Sequence, residues 1–116
     1  KILSNYEYKC AITGIDIPQL LVASHIIPWS VNKEERLNPA NGICLSSLYD
    51  SAFDRGLIGF DKNYKVVLSD RLQENYEKPY YSNYFGSIKG LQMALPEEFK
   101  PDIHFLEWHM DEVFQR

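Results

Sequence analysis

Residues 20–27 read LLVASHII, with apolar side chains on both alternating faces of an extended segment. A strand with one wet face alternates polar and apolar, so a run of this kind has to be covered on both sides. Pro28 ends it, because proline has no N–H to give a ladder. The chain must therefore place layers on this strand, and His25 is carried with it. Residues 30–40 are polar and read as loop. Asn41-Gly42 then favours a turn with positive φ, and Ile43, Cys44 and Leu45 form a second short strand that pairs back on the first. Ser46 and Ser47 both suit the N-cap of a helix running through Arg55, with Gly56 at C′. The order is strand, loop, strand, helix.

Around this unit the signals are weaker. Residues 1–9 suit a short helix, and turns are expected at Thr13-Gly14 and near Ile17-Pro18. Residues 57–69 hold two apolar runs joined at 61–63, a second hairpin. Residues 71–89 are polar and tyrosine-rich, broken by Pro79 with a short helix after it, and 91–95 reads as a strand. The tail opens with Pro101 in a first helical turn and sets Ile103, Leu106, Met110, Val113 and Phe114 along one face. No repeat or low-complexity segment is present.

A chain of 116 residues is one domain. A 45% hydrophobic and 24% charged composition is that of an ordinary globular protein. No apolar run approaches the roughly 18 to 20 residues needed to cross a bilayer, and a signal peptide is missing, so a cytoplasmic protein without membrane association is expected. The first residue is Lys rather than Met, so the sequence is read as a piece of a longer protein. Its formal charge of −4, with twelve scattered basic residues, argues against a stand-alone nucleic-acid binder. Cys10 and Cys44 form no CxxC pair, so no structural zinc is expected and both read as buried free thiols.

Asp50 and Asp54 stand four residues apart on the expected helix, where Cβ atoms are roughly 5–6 Å apart. Two carboxylates there repel, and Asp54 also meets the unfavourable end of the helix dipole. A divalent cation would turn both penalties into ligation. The ordinary explanations are that Asp50 closes a capping box with Ser47 and that Asp54 pairs with a distant base. His25 has its own ordinary reading as a hydrogen-bonded core residue. Its neutral imidazole could instead take a proton from water, provided another group fixed the ring. Asn41, at the start of the paired strand, could be that group, although alone it reads as a turn residue.

The combination is specific: a histidine on the first strand, an asparagine at the start of the second, and aspartates nine and thirteen residues past it. This pattern resembles the HNH, or ββα-metal (His-Me finger), nuclease motif. SHIIPW, RLNPANGICL, LYDSAFDRGLI and the ending FLEWHMDEVF are similar to the HNH domains of predicted bacterial restriction endonucleases. The resemblance covers nearly the whole chain. It implies an α+β fold: a ββα-metal core over 20–56, with an added hairpin and C-terminal helix over 57–116, in a single domain spanning 1–116.

The resemblance also implies roles. His25 would be the general base, Asn41 would orient it, and Asp50 and Asp54 would hold one Mg²⁺, Mn²⁺ or similar ion. Hydrolysis of DNA would leave a 5′-phosphate and a 3′-hydroxyl. Two positions depart from the pattern. Ser24, at best a weak ligand, stands where many relatives carry Asp or His, and Tyr49 and Asp50 stand where a helix histidine often follows. Arg36 and Arg55 flank the motif and suit bidentate phosphate contacts. Trp29 is expected to pack beneath the loop rather than stack on a base, and His104 and His109 to be structural. The expected function is DNA restriction, with recognition in a domain outside this chain and a homodimer placing one site on each strand. The rivals are a catalytically degenerate HNH module that binds protein or DNA, and a non-specific nuclease effector.

Overall fold

The computed structural model describes residues 1–116. Its elements, in chain order, begin with α1 (Ile2–Asn5), β1 (Leu21–His25), β2 (Gly42–Ser46) and α2 (Ser47–Asp54). There follow β3 (Ile58–Phe60), β4 (Val66–Leu68), α3 (Asp70–Gln73), α4 (Pro79–Tyr84) and α5 (Ile103–Glu112). Both sheets are two-stranded antiparallel hairpins, so the architecture is α+β. β1, β2 and α2 form a ββα unit, extended by the second hairpin and α5.

β1 and β2 pair from Leu21↔Ser46 to His25↔Gly42. β2 is buried throughout, whereas Val22, Ala23 and His25 of β1 stay half-buried, so the strand expected to be fully covered leaves its histidine end partly open. β1 is also shorter than the apolar run. Ile26 N–H donates to the Asn41 carbonyl and Ile27 N–H to the Asn41 side chain, so the ladder stops at His25, three residues before Pro28.

The expected positive-φ turn at Asn41-Gly42 does not form. Asn41 closes a short 3₁₀ turn, Pro39–Asn41, and Gly42 is extended at φ −138°. Glycine is required there for space: a Cβ would come within 2.2 Å of the Ile2 side chain, which α1 lays against the hairpin.

α2 follows β2 without a linker and packs on β1, β2 and β3. Its buried face carries Tyr49, Ala52 and Phe53. The C-terminus is a Schellman motif: Leu57 N–H donates to Ala52 C=O and Gly56 N–H to Phe53 C=O, with Gly56 at φ +74°. β3, paired with β4, packs on α2, and α5 packs on β3.

The tail and the segment before it depart from expectation. Residues 91–95 form no strand. They make a single bridge, Lys65↔Gln92, because Ala94 N–H turns away to Ala11 C=O. Pro101 precedes the N-cap, which is Asp102, so α5 starts at Ile103 and ends before Val113 and Phe114. Cys10 and Cys44 are buried and unpaired.

Candidate active site

Asp50 and Asp54 are presented by α2. The N-cap is Ser46, so N3 is Tyr49, and Asp50 lies one position past the capping-box place. Ser47 Oγ donates instead to Leu20 C=O, which removes the ordinary explanation for Asp50. The chain's only ion pair joins His104 to Glu107, so neither aspartate has a cationic partner. Burial pushes the Asp54 carboxyl above its ordinary value and the Asp50 charge adds to this, while Arg55 and His25 act in the opposite direction. His25, at the end of β1, is thus within electrostatic reach of the acid pair. Arg55 extends from the same helix end, its Nε donating to Ser51 Oγ at 3.2 Å.

Asn41 does not hold the His25 ring. It is fully buried, and its side chain is spent on backbone: Oδ1 accepts from Ile27 N–H at 2.8 Å. Nδ2 donates to Ile27 C=O at 3.0 Å and to Glu35 C=O at 3.3 Å. Where the chain leaves β1 these backbone groups lose their ladder partners, and a buried amide that can donate twice and accept meets that need. Asn41 therefore fixes the backbone immediately after His25. The His25 ring itself makes no hydrogen bond within the protein.

Ser24, the further candidate ligand, neighbours His25 in the strand and so projects to the opposite face. Its hydroxyl is sealed from solvent and has no hydrogen-bond partner. The oxygens available to a cation are thus those of Asp50 and Asp54, and no group of three or more His, Cys, Asp or Glu side chains converges. Two unpaired hard carboxylates suit a small divalent ion such as Mg²⁺, which keeps several waters and commonly takes one or two protein carboxylates plus phosphate oxygens. A cavity of about 660 Å³ lies between α1 and residues 94–99 and includes none of these side chains. Asp54 is exposed, while His25 and Asp50 are half-buried.

The remaining candidates separate cleanly. Arg36 lies with its guanidinium 4.9 Å from the centre of the Trp29 ring, and Trp29 is 54% exposed rather than packed under the loop. His109 is buried and structural, with Nε2 donating to Phe53 C=O at 2.8 Å. His104 is exposed and contacts only Glu107, so it is not part of the core. Tyr49, standing where a helix histidine often occurs, is buried and donates its hydroxyl to Tyr84 C=O at 2.6 Å. Asn38 went unnoticed in the sequence. It caps Ala40 N–H and donates to Glu35 Oε1 at 2.8 Å, and its Asn-Pro dipeptide was the available signal.

Residues 10–61 match the family model described as HNH endonuclease. No curated protein matches the chain. A solved structure described as a modification dependent TagI restriction endonuclease aligns with a TM-score of 0.66 at 16% identity, covering 97% of this chain and 35% of that one. The chain spans about a third of that enzyme's length, and at this identity the likeness is one of fold. The match over 10–61 takes in β1, β2 and α2 with the acid pair, so this stretch of the chain is similar to the HNH endonuclease family.

Proposed function

We propose that the domain is a divalent-metal-dependent endonuclease that hydrolyses DNA phosphodiester bonds, with His25 as general base. The observation that carries this reading is the acid pair on α2: two carboxylates without protein partners, one of them raised by burial and by the other, and within electrostatic reach of a histidine that ends β1. The histidine and the carboxylates divide the work. His25 takes a proton from the attacking water, whose oxygen forms the new bond to phosphorus as the 3′ oxygen departs with the electrons of the old one. A divalent ion, Mg²⁺ or Mn²⁺, bound at Asp50 and Asp54 would supply Lewis-acid stabilisation of the charge that develops on the phosphate and the leaving oxygen. Asn41 keeps the backbone beyond His25 in place. Arg55, beside Asp54, contacts a phosphate oxygen.

Restriction of foreign DNA is the biological setting this reading favours, with the chain as the cutting part of a longer cytoplasmic enzyme. The net charge of −4 supports a recognition domain elsewhere, because this domain has little sequence-independent grip of its own. The structural neighbour, three times as long, is consistent with that division. A homodimer would give one site per strand. No helix of the chain is long and apolar enough to cross a membrane.

Plasmid nicking in Mg²⁺ or Mn²⁺, with EDTA as control, tests the reaction. His25→Ala is expected to lower the rate on the order of 10² to 10⁴. Calorimetric titration of the Asp50→Asn/Asp54→Asn variant is expected to show no divalent binding. Full activity in His25→Ala would remove the base assignment, and an unchanged isotherm would put the ion elsewhere. A second reading, a binding module without catalysis, draws on the sealed Ser24 and the absence of a third ligand. DNA binding with no nicking in any divalent ion would establish it.

A further inference from the structure

The loop that joins His25 to Asn41 carries three large apolar side chains out into water: Trp29 at 54%, Val31 at 58% and Leu37 at 80% exposure. Single exposed hydrophobics are common and need no explanation. These three differ in being held out by a braced scaffold. Val31 and Asn32 N–H both donate to Pro28 C=O, Glu34 N–H to Asn32 Oδ1, and Asn38 N–H to Glu35 C=O. The buried Asn41 side chain grips both arms of the loop, at Ile27 and at Glu35. Trp29 lies two residues beyond the first grip and Arg36 one beyond the second, and the guanidinium sits over the indole. One buried asparagine thus fixes the backbone after the proposed base and the footing of an exposed aromatic–cation pair.

We propose that the Trp29–Arg36 pair is a substrate-engaging platform on which Trp29 stacks against a DNA base beside the scissile phosphate while Arg36 holds a flanking phosphate. The inference rests on the nuclease reading and assigns that site its contact with the bases. Three features favour nucleic acid as the occupant. Arg36 has Glu34 and Glu35 as chain neighbours yet pairs with neither, and Glu35 Oε1 is taken by Asn38, so the guanidinium is free for an anion. An indole face stacks on any base, and apolar side chains such as Leu37 wedge between base steps that a protein bends. The loop is also continuous with His25, so whatever covers it lies next to the reacting phosphate. Its turns are already hydrogen-bonded, which lowers the ordering needed on binding.

The test titrates the wild-type chain, Trp29→Ala, Trp29→Phe and Arg36→Ala with a short mixed-sequence duplex carrying 2-aminopurine, in EDTA so that no strand is cut. Plasmid nicking in Mg²⁺ and gel-filtration size are followed alongside. Trp29→Ala is expected to bind roughly 5- to 150-fold more weakly, the range for one base–aromatic contact. It should also lose the 2-aminopurine response while keeping its melting temperature, and Trp29→Phe should recover most of both. Arg36→Ala is expected to weaken binding and to reduce the log–log salt slope by about one. Wild-type affinity and 2-aminopurine response in Trp29→Ala, with nicking intact, would overturn the platform and spare the nuclease reading. A change of oligomeric state in Trp29→Ala without a change in DNA binding would make the loop a subunit interface and overturn it as well. A wild-type chain that neither binds nor cuts DNA would overturn both.

Discussion

An aspartate in the last turn of an eight-residue helix, four residues after another aspartate, is unfavourable where it stands. Its charge meets the negative end of the helix dipole and a like charge on the same face, each worth a few tenths of a kcal/mol. Asp54 carries these costs with its carboxyl raised, so the ionised form is less favoured in the fold than in the unfolded chain. Near neutral pH that is a standing destabilisation, which Asp54→Asn removes. In metal-free buffer the variant is expected to melt a few degrees higher, corresponding to about 0.5 kcal/mol. Wild type should gain stability with rising Mg²⁺ as a ligand bound to the folded state dictates, and Asp54→Asn should not. Thermal melts with and without Mg²⁺ check both, and a Mg²⁺-dependent rise retained by the variant would exclude Asp54 as a ligand. The acid pair was legible in the sequence because i,i+4 spacing needs only a helix to become proximity. The partners of Asn41 were not, since they depend on which backbone groups are stranded when β1 ends, and that is a property of the folded loop. The burial of Ser24 was hidden for a similar reason: strand alternation says it opposes His25, but only packing says which face is sealed.

At the scale of elements, the join between α2 and the rest of the chain is a crowded point. Gly56 adopts φ +74°, and a Cβ there would lie 2.1 Å from Val113 C=O, while Gln115 N–H donates to Gly56 C=O. The left-handed conformation alone costs an alanine about 1–2 kcal/mol. The carbonyl it would strike is backbone and cannot swing aside as a side chain can. Gly56→Ala is therefore expected to destabilise by about 2 kcal/mol or more, lowering the melting temperature by on the order of 10 °C. A loss near 1 kcal/mol would mean that the tail moves away freely and does not brace α2. The C′ role of Gly56 could be read from the sequence, because a capping glycine after an amphipathic run is a local signal. The tail against it could not. Elsewhere the same division holds: β1, β2 and the second hairpin followed from their apolar runs. The strand expected over 91–95 failed because Ala94 found its backbone partner in Ala11, more than eighty positions away in sequence. Pro101 misled by two residues, since Asp102 rather than proline starts α5 by accepting from His104 N–H.

Over the whole molecule, α5 is tied to α2 through one histidine. His109 lies flat on Phe53, ring centres 3.9 Å apart and 4° from parallel, and donates from Nε2 to the Phe53 carbonyl. That carbonyl belongs to the last turn of α2, one residue before Asp54, so the C-terminal helix completes the end of the element that presents the acid pair. With the proton on Nε2, Nδ1 is bare, buried and without a partner. A second proton there would create a charged donor with nothing to receive it. Burial accordingly pushes the imidazole below its ordinary value of 6.5, against a smaller opposing effect of the Phe53 bond. The sign follows directly. Below about pH 6.5 the unfolded chain takes up a proton that the folded chain refuses, so the stability supplied by neutral His109 is complete above that pH and drains away as pH falls towards the folded value. Denaturant melts from about pH 7.5 to about pH 5 should show this loss setting in below about pH 6.5, with a slope of at most one proton, about 1.4 kcal/mol per pH unit. His109→Gln keeps an N–H for the Phe53 carbonyl and cannot charge, so it should start less stable through lost stacking and then hold level where wild type falls. If the two proteins decline in parallel, the acid sensitivity lies elsewhere, and α5 is held to α2 by apolar packing rather than by the state of this ring.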